Sequence, residues 1–98
     1  MQQPEVSIVI PCRDEAATIA AVVRSATNAL ADNGYAGEVV VVDNGSGDGS
    51  AAMAANAGAR VVNQSIPGYG ATCIKGLEEA RGEILVLVDA DGTYDLSE

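Results

Sequence analysis

Three short, largely apolar runs, residues 6–10, 39–42 and 84–88, are rich in β-branched side chains and stop at Pro, Gly or Asp. Runs of this length without polar alternation predict strands buried on both faces. Residues 60–63 predict a weaker fourth strand. Between the strands the period changes. Residues 15–31 place Ile19, Val22, Val23, Ala26 and Leu30 on one face and stop at Asn33-Gly34, which predicts a helix. Residues 50–57 predict a shorter helix that Asp48 or Ser50 caps and Gly58 ends, and residues 69–81 a third, with Gly82 as its terminator. The order β-α-β-α-β-α-β implies an α/β fold: a Rossmann-like parallel sheet with right-handed crossovers, in a single unit without repeats or linkers.

In such a sheet every strand ends on the same edge, where α/β proteins bind ligands. The polar residues gather there. Pro11, Arg13, Asp14 and Glu15 follow the first strand, Asp43-Asn44-Gly45-Ser46 the second, Asn63 and Gln64 the third, and Asp89-Ala90-Asp91 the fourth.

Composition narrows the ligands. Fourteen Asp and Glu oppose five Lys and Arg, for a formal charge of −9. That balance argues against nucleic acid and anionic membrane, both of which need a cationic surface. Carboxylates are instead natural ligands of Mg²⁺ and Mn²⁺. Aromatic residues are only 3% of the chain, so the core has to be built from Val, Ile, Leu and Ala. No His is present, which removes His-based general-base and triad chemistry from this segment.

Asp89-Ala90-Asp91 leaves a buried strand with two carboxylates one residue apart, a suitable site for a hard divalent ion that keeps positions open for phosphate oxygens. The structural alternative is a turn at Asp91-Gly92 capped by Asp89. Residues 43–50, D-N-G-S-G-D-G-S, alternate glycines between strand and helix, which lets backbone approach a ligand. They match neither the dinucleotide G-x-G-x-x-G pattern nor the G-x-x-x-x-G-K-[ST] phosphate loop. Asp43 and Asn44 at the strand tip read as ligand-facing, and Asp48 as a helix cap. Glu15 reads equally as a ligand contact or as a first-turn acid favoured by the helix dipole. Gly68-Tyr69-Gly70 is either a loop over the site or a plain helix entry, and Lys75 reads as a solvated helical residue.

Placed together, these residues resemble the N-terminal, nucleotide-sugar-binding half of a family 2 glycosyltransferase of the GT-A fold. V-S-I-V-I-P-C-R-D-E (residues 6–15) looks like the family's opening strand and P-x-x-N-E turn, and V-V-V-V-D-N-G-S-G-D-G-S (39–50) like its V-D-D-G-S-x-D-G-T segment. G-Y-G-A-T-C-I-K-G-L-E-E-A-R-G-E followed by I-L-V-L-V-D-A-D (68–91) is similar to the helix and strand that lead into its D-x-D motif. The resemblance implies a nucleotide-diphosphate sugar donor of UDP or GDP type, Mg²⁺ or Mn²⁺, and transfer with inversion. By position, Pro11 and Glu15 would line the nucleoside pocket, and Asp43 and Asn44 would meet base or ribose. Asp89, Ala90 and Asp91 would surround the diphosphate, with Asp89 and Asp91 at the metal. The D-A-D-G-T-Y-D ending looks most like members that glycosylate polyprenyl or dolichyl phosphate, which implies a lipid-phosphate acceptor. Asn44 stands where many relatives have a second Asp that accepts from the base, a bond an Asn carbonyl can also accept; Asp14 replaces their usual Asn. The acceptor site and catalytic base are expected beyond Glu98.

Two other function classes compete. I-L-V-L-V-D-A-D-G-T also resembles the first motif of haloacid-dehalogenase-type phosphohydrolases, with Asp89 as nucleophile and Asp91 as general acid. That motif usually opens its domain, whereas here three β-α units precede it. The third reading is a nonenzymatic nucleotide-binding module. Cys12 and Cys73 lack metal or redox spacing and are expected as reduced thiols. No signal-peptide pattern opens the chain, and no apolar run approaches the roughly 20 residues of a membrane span. These features predict a cytoplasmic protein, with the inner membrane face as the place of any lipid acceptor.

Overall fold

The structure, a computed structural model, describes residues 4–90. Seven elements follow in the expected order: β1 (Val6–Cys12), α1 (Ile19–Asp32), β2 (Gly37–Asp43), α2 (Ser50–Asn56), β3 (Arg60–Asn63), α3 (Tyr69–Glu79) and β4 (Ile84–Leu87). All strand pairs are parallel and the sheet order is β3-β2-β1-β4.

Side-chain alternation divides the core in two. Val6, Ile8 and Ile10 of β1 and Val39 and Val41 of β2 pack with Ile19, Val22, Val23, Ala26 and Leu30 of α1 and Ala54 of α2. Val9, Val40 and Val42 form the cluster on the other face, where α3 lies across β1 and β2. Gly76 permits that approach, since a Cβ there would stand 2.3 Å from Val9 Cγ1 and 2.9 Å from Val42 Cγ2.

Four expectations need correction. First, β4 is not buried on both faces: Ile84, Leu85, Val86 and Leu87 are exposed by 37–55%. It is an edge strand bonded to β1 alone, and the helices pack mainly over the other three strands. Second, α1 begins at Ile19, so Glu15 precedes the helix instead of sitting in its first turn. Third, neither Asp48 nor Ser50 caps α2: the N-cap is Gly49, with left-handed backbone at φ 87° and no side-chain cap bond. Fourth, α3 ends at Glu79, and Gly82 serves a close contact rather than termination, its hypothetical Cβ lying 2.6 Å from the Ser7 backbone nitrogen.

A polar knot closes the N-terminal edge of the sheet. Glu38 accepts from the Ser7 hydroxyl at 2.6 Å, from the Arg81 N–H at 2.8 Å and from Arg60 at 3.0 Å. Arg60 also donates to the Glu79 carbonyl at 2.6 Å, and the Gly82 N–H to the Ser7 hydroxyl at 2.7 Å. Burial opposes the charged form of Glu38, but the Ser7, Arg81 and Arg60 contacts outweigh it and hold the carboxyl below its usual 4.5. The stabilisation is therefore complete above the unfolded value and is lost as pH falls through the lower folded value. Glu38→Gln should lower stability at pH 7 by about 1–3 kcal/mol. It should also flatten the acid limb of stability against pH, read from urea midpoints between pH 3 and 7; an unchanged acid limb would remove Glu38 from the account.

Candidate functional site

The ladder between β1 and β4 stops at Val9–Leu87, with one further bond from the Val88 N–H to the Val9 carbonyl. Pro11, two residues on, faces the same side as Val9, where its missing N–H leaves no ladder partner unsatisfied. A cleft of about 400 Å³ opens at this point on the C-terminal rim. Of the residues expected at the site, Pro11, Glu15, Asn44, Asp89 and Ala90 line it. Asp43 does not; it is 6% exposed, with one oxygen accepting the Ser46 N–H at 3.1 Å and Oδ1 buried without a partner. Asp91 lies outside the described residues.

The loop after β1 is clasped to the loop after β2. The Asp14 N–H donates to Ser46 Oγ at 2.9 Å and the Gly47 N–H to Asp14 Oδ1 at 2.7 Å. The Glu15 N–H donates to Ser50 Oγ at 2.9 Å and the Ala16 N–H to Asp48 Oδ2 at 3.0 Å, while the Ser50 hydroxyl donates to Asp48. These bonds hold residues 14–16 out of the helix and set Asp14 at φ 52°. Asp and Asn are the non-glycine residues that best tolerate this left-handed region, so Asp14 can replace an Asn there at little cost. The Ser50 hydroxyl chiefly, then the backbone N–H groups, hold Asp48 below the usual carboxylate range. Asp48 is thus a loop clasp, a role that spacing within its own helix could not reveal.

Asn44 is 8% exposed and its amide is fully engaged. It donates to the Gln64 carbonyl at 2.7 Å and the Ile66 carbonyl at 2.9 Å, and its Oδ1 accepts the Gly68 N–H at 3.0 Å. The side chain therefore shapes the loop between β3 and α3. An Asp could not supply the two donors, which gives a physical reason for Asn at this position.

Three further residues, not predicted as ligand contacts, shape the cleft: Tyr69 and Thr72 line it, and Thr18 holds the lining residue Ala90. Thr18 donates to the Ala90 carbonyl at 2.6 Å, tying the start of α1 to the chain beyond β4. Thr72, buried at the start of α3, donates to the Gly68 carbonyl at 2.7 Å. The Tyr69 hydroxyl donates to Asp89 Oδ1 at 3.3 Å. Its pKa is pushed up to about 12 by the Cys73 thiol first, then by burial and the Asp89 carboxylate, so it remains a neutral donor. The G-Y-G segment was the one signal for Tyr69. Burial, reinforced by the Asp43 charge, pushes the Cys12 thiol to about 11, which leaves it unreactive at neutral pH. Both cysteines are free.

Among the described residues no group of three His, Cys, Asp or Glu side chains forms a ready metal cage, and no helix is long and apolar enough to cross a membrane. The rim thus offers a half-buried carboxylate, Asp89, in a cleft that the charged side chains of Arg13 and Glu15 line together with the neutral Asn44, Tyr69 and Thr72.

The sequence pattern of Glycosyl transferase family 2 matches residues 7–97. The chain belongs to that family. It is 39% identical over 90 residues to an uncharacterized glycosyltransferase of Mycobacterium tuberculosis, covering 92% of this chain and 38% of that one. It is 33% identical over 94 residues to the undecaprenyl-phosphate 4-deoxy-4-formamido-L-arabinose transferase of Pseudomonas fluorescens, covering 88% of this chain and 27% of that one. Its fold is similar to glucosyl-3-phosphoglycerate synthase from M. tuberculosis, solved with Mn²⁺, UDP and glucosyl-3-phosphoglycerate, at TM-score 0.77 and 32% identity over 89% of this chain and 33% of the other. That synthase has also been solved with Mg²⁺ and UDP. The sheet accordingly has the architecture of the N-terminal part of a GT-A fold, and the chain spans about a third of the length of these relatives. Family membership sets aside the phosphohydrolase reading of the Asp89 strand.

Proposed function

We propose that this chain is the donor-binding segment of a metal-dependent, inverting glycosyltransferase that uses a UDP-type sugar. The observation that carries the proposal is the convergence of Pro11, Glu15, Asn44 and Asp89 on one cleft at the C-terminal rim. Pro11 and Glu15 belong to the loop fixed by the Ser46, Asp48 and Ser50 clasp, which presents them as a preformed wall for the nucleoside. Asn44 fixes the facing loop.

The donor set fits a hard cation. Mg²⁺ and Mn²⁺ take oxygen ligands and commonly bind through one or two carboxylates with substrate phosphates completing the shell. Asp89 is such a carboxylate, and Asp91 is its partner in sequence. When bound, the cation supplies neutralisation of the charge that develops on the departing diphosphate. The acceptor, read from the D-A-D-G-T-Y-D ending and the undecaprenyl-phosphate relative, is a lipid phosphate reached at the cytoplasmic membrane face. The exposed apolar face of β4 fits a segment whose neighbouring part of the same domain packs against it.

Calorimetry of UDP and GDP against the complete protein, with and without Mn²⁺, tests the reading. UDP should bind at least tenfold more tightly with Mn²⁺, and Asp91→Ala should remove that gain. Binding that ignores both the metal and the substitution would sink the site.

A further inference from the structure

The geometry points to Tyr69 as a positioning residue that orients the Asp89 carboxylate for its cation, an inference that rests on the metal-site reading above. Among the described residues, the phenol is the hydrogen-bond donor that reaches Asp89. Carboxylates that ligate metals are themselves hydrogen-bonded, and the donors that orient them typically affect metal affinity 10- to 100-fold. A carboxylate oxygen has lone pairs enough to accept the phenolic proton and face a cation together, so the two contacts do not compete for one site.

The position of the phenol is itself determined. Tyr69 opens α3 directly after Gly68, whose φ of 123° is one that side-chain-bearing residues rarely adopt. The Gly68 N–H is held by Asn44 Oδ1 and its carbonyl by the Thr72 hydroxyl. A continuous set of bonds therefore runs from the tip of β2 through the start of α3 to the end of β4. Tyr69 itself is 61% exposed, so its ring is not a core element, and besides Asp89 its hydroxyl meets the Cys73 thiol one turn along α3. An exposed aromatic in an otherwise aromatic-poor chain, bonded to the D-x-D carboxylate that lines the cleft among the described residues, is placed for this task.

The test is a Mn²⁺ titration of the complete protein at saturating UDP, following free Mn²⁺ by electron paramagnetic resonance. Tyr69→Phe should weaken Mn²⁺ binding about tenfold, leave the melting temperature unchanged and leave UDP affinity without metal unchanged. Asp89→Asn serves as reference, and adding Tyr69→Phe to it should cause no further loss. If Asp89→Asn loses Mn²⁺ while Tyr69→Phe binds it as the wild type does, the positioning role is overturned and the metal site stands. If Asp89→Asn keeps full affinity, the metal-site reading fails and Tyr69's role with it.

Discussion

Gly76→Val is expected to dislodge α3 from the sheet and to leave the chain largely unfolded at 37 °C. Even Ala places a Cβ 2.3 Å from Val9 Cγ1, a side chain that is fully buried and stiff at χ1. Overpacking of this kind costs about 1–3 kcal/mol, and the two further methyls of Val add to it. A small domain has only about 5–15 kcal/mol in total. Gly70→Ala in the same helix is the control, since nothing lies within 4 Å of its added Cβ. Urea midpoints should fall steeply from wild type to Ala to Val at position 76 and hold or rise for Gly70→Ala. Equal midpoints at both positions would mean that α3 does not pack through Gly76.

Asn44→Asp should be the most damaging conservative change at the site. The two molecules differ by one nitrogen, yet that nitrogen serves the carbonyls of Gln64 and Ile66. The substitution leaves two carbonyls without donors, at about 1–3 kcal/mol each, and turns a carboxylate toward both. The loop that carries Gly68 and Tyr69 would be released, so UDP affinity should fall along with stability. Asn44→Asp with unchanged urea midpoint and unchanged UDP binding would show that the side chain does not hold this loop.

The fold was legible because the strand and helix signals were strong and mutually consistent. Val39 to Val42 is an uninterrupted β-branched run and Val6 to Ile10 is broken only by Ser7, and the 3.6-residue spacing from Ile19 to Leu30 matched the buried face of α1 residue for residue. What the sequence concealed was contact between loops. Asp48 looked like a cap because a cap is a local signal, and one oxygen does accept the Ser50 N–H at 3.1 Å, but the other reaches Ala16, 32 residues away. Glu15 looked like a helical acid for the same reason. Pro11, Glu15, Asn44, Asp89 and Ala90 could be placed on one rim from parallel topology alone, but Asn44's role in shaping a loop depended on carbonyls 20 and 22 residues downstream. The exposure of β4 was illegible too, because an apolar edge strand and an apolar central strand have the same pattern.

The central claim is that a nucleotide and a divalent cation meet at the C-terminal rim, between the loops after β1 and β2 and the end of β4. The direct measurement is the amide spectrum of the ¹⁵N-labelled complete protein with UDP, recorded as paramagnetic Mn²⁺ is added in small steps. The account predicts that the amides of residues 12–15, 68–70 and 88–90 broaden first, while Glu38, Arg60 and Gly82 at the opposite edge stay sharp. Broadening that begins at the Glu38 edge, or that spares Asp89 and its neighbours, would contradict it.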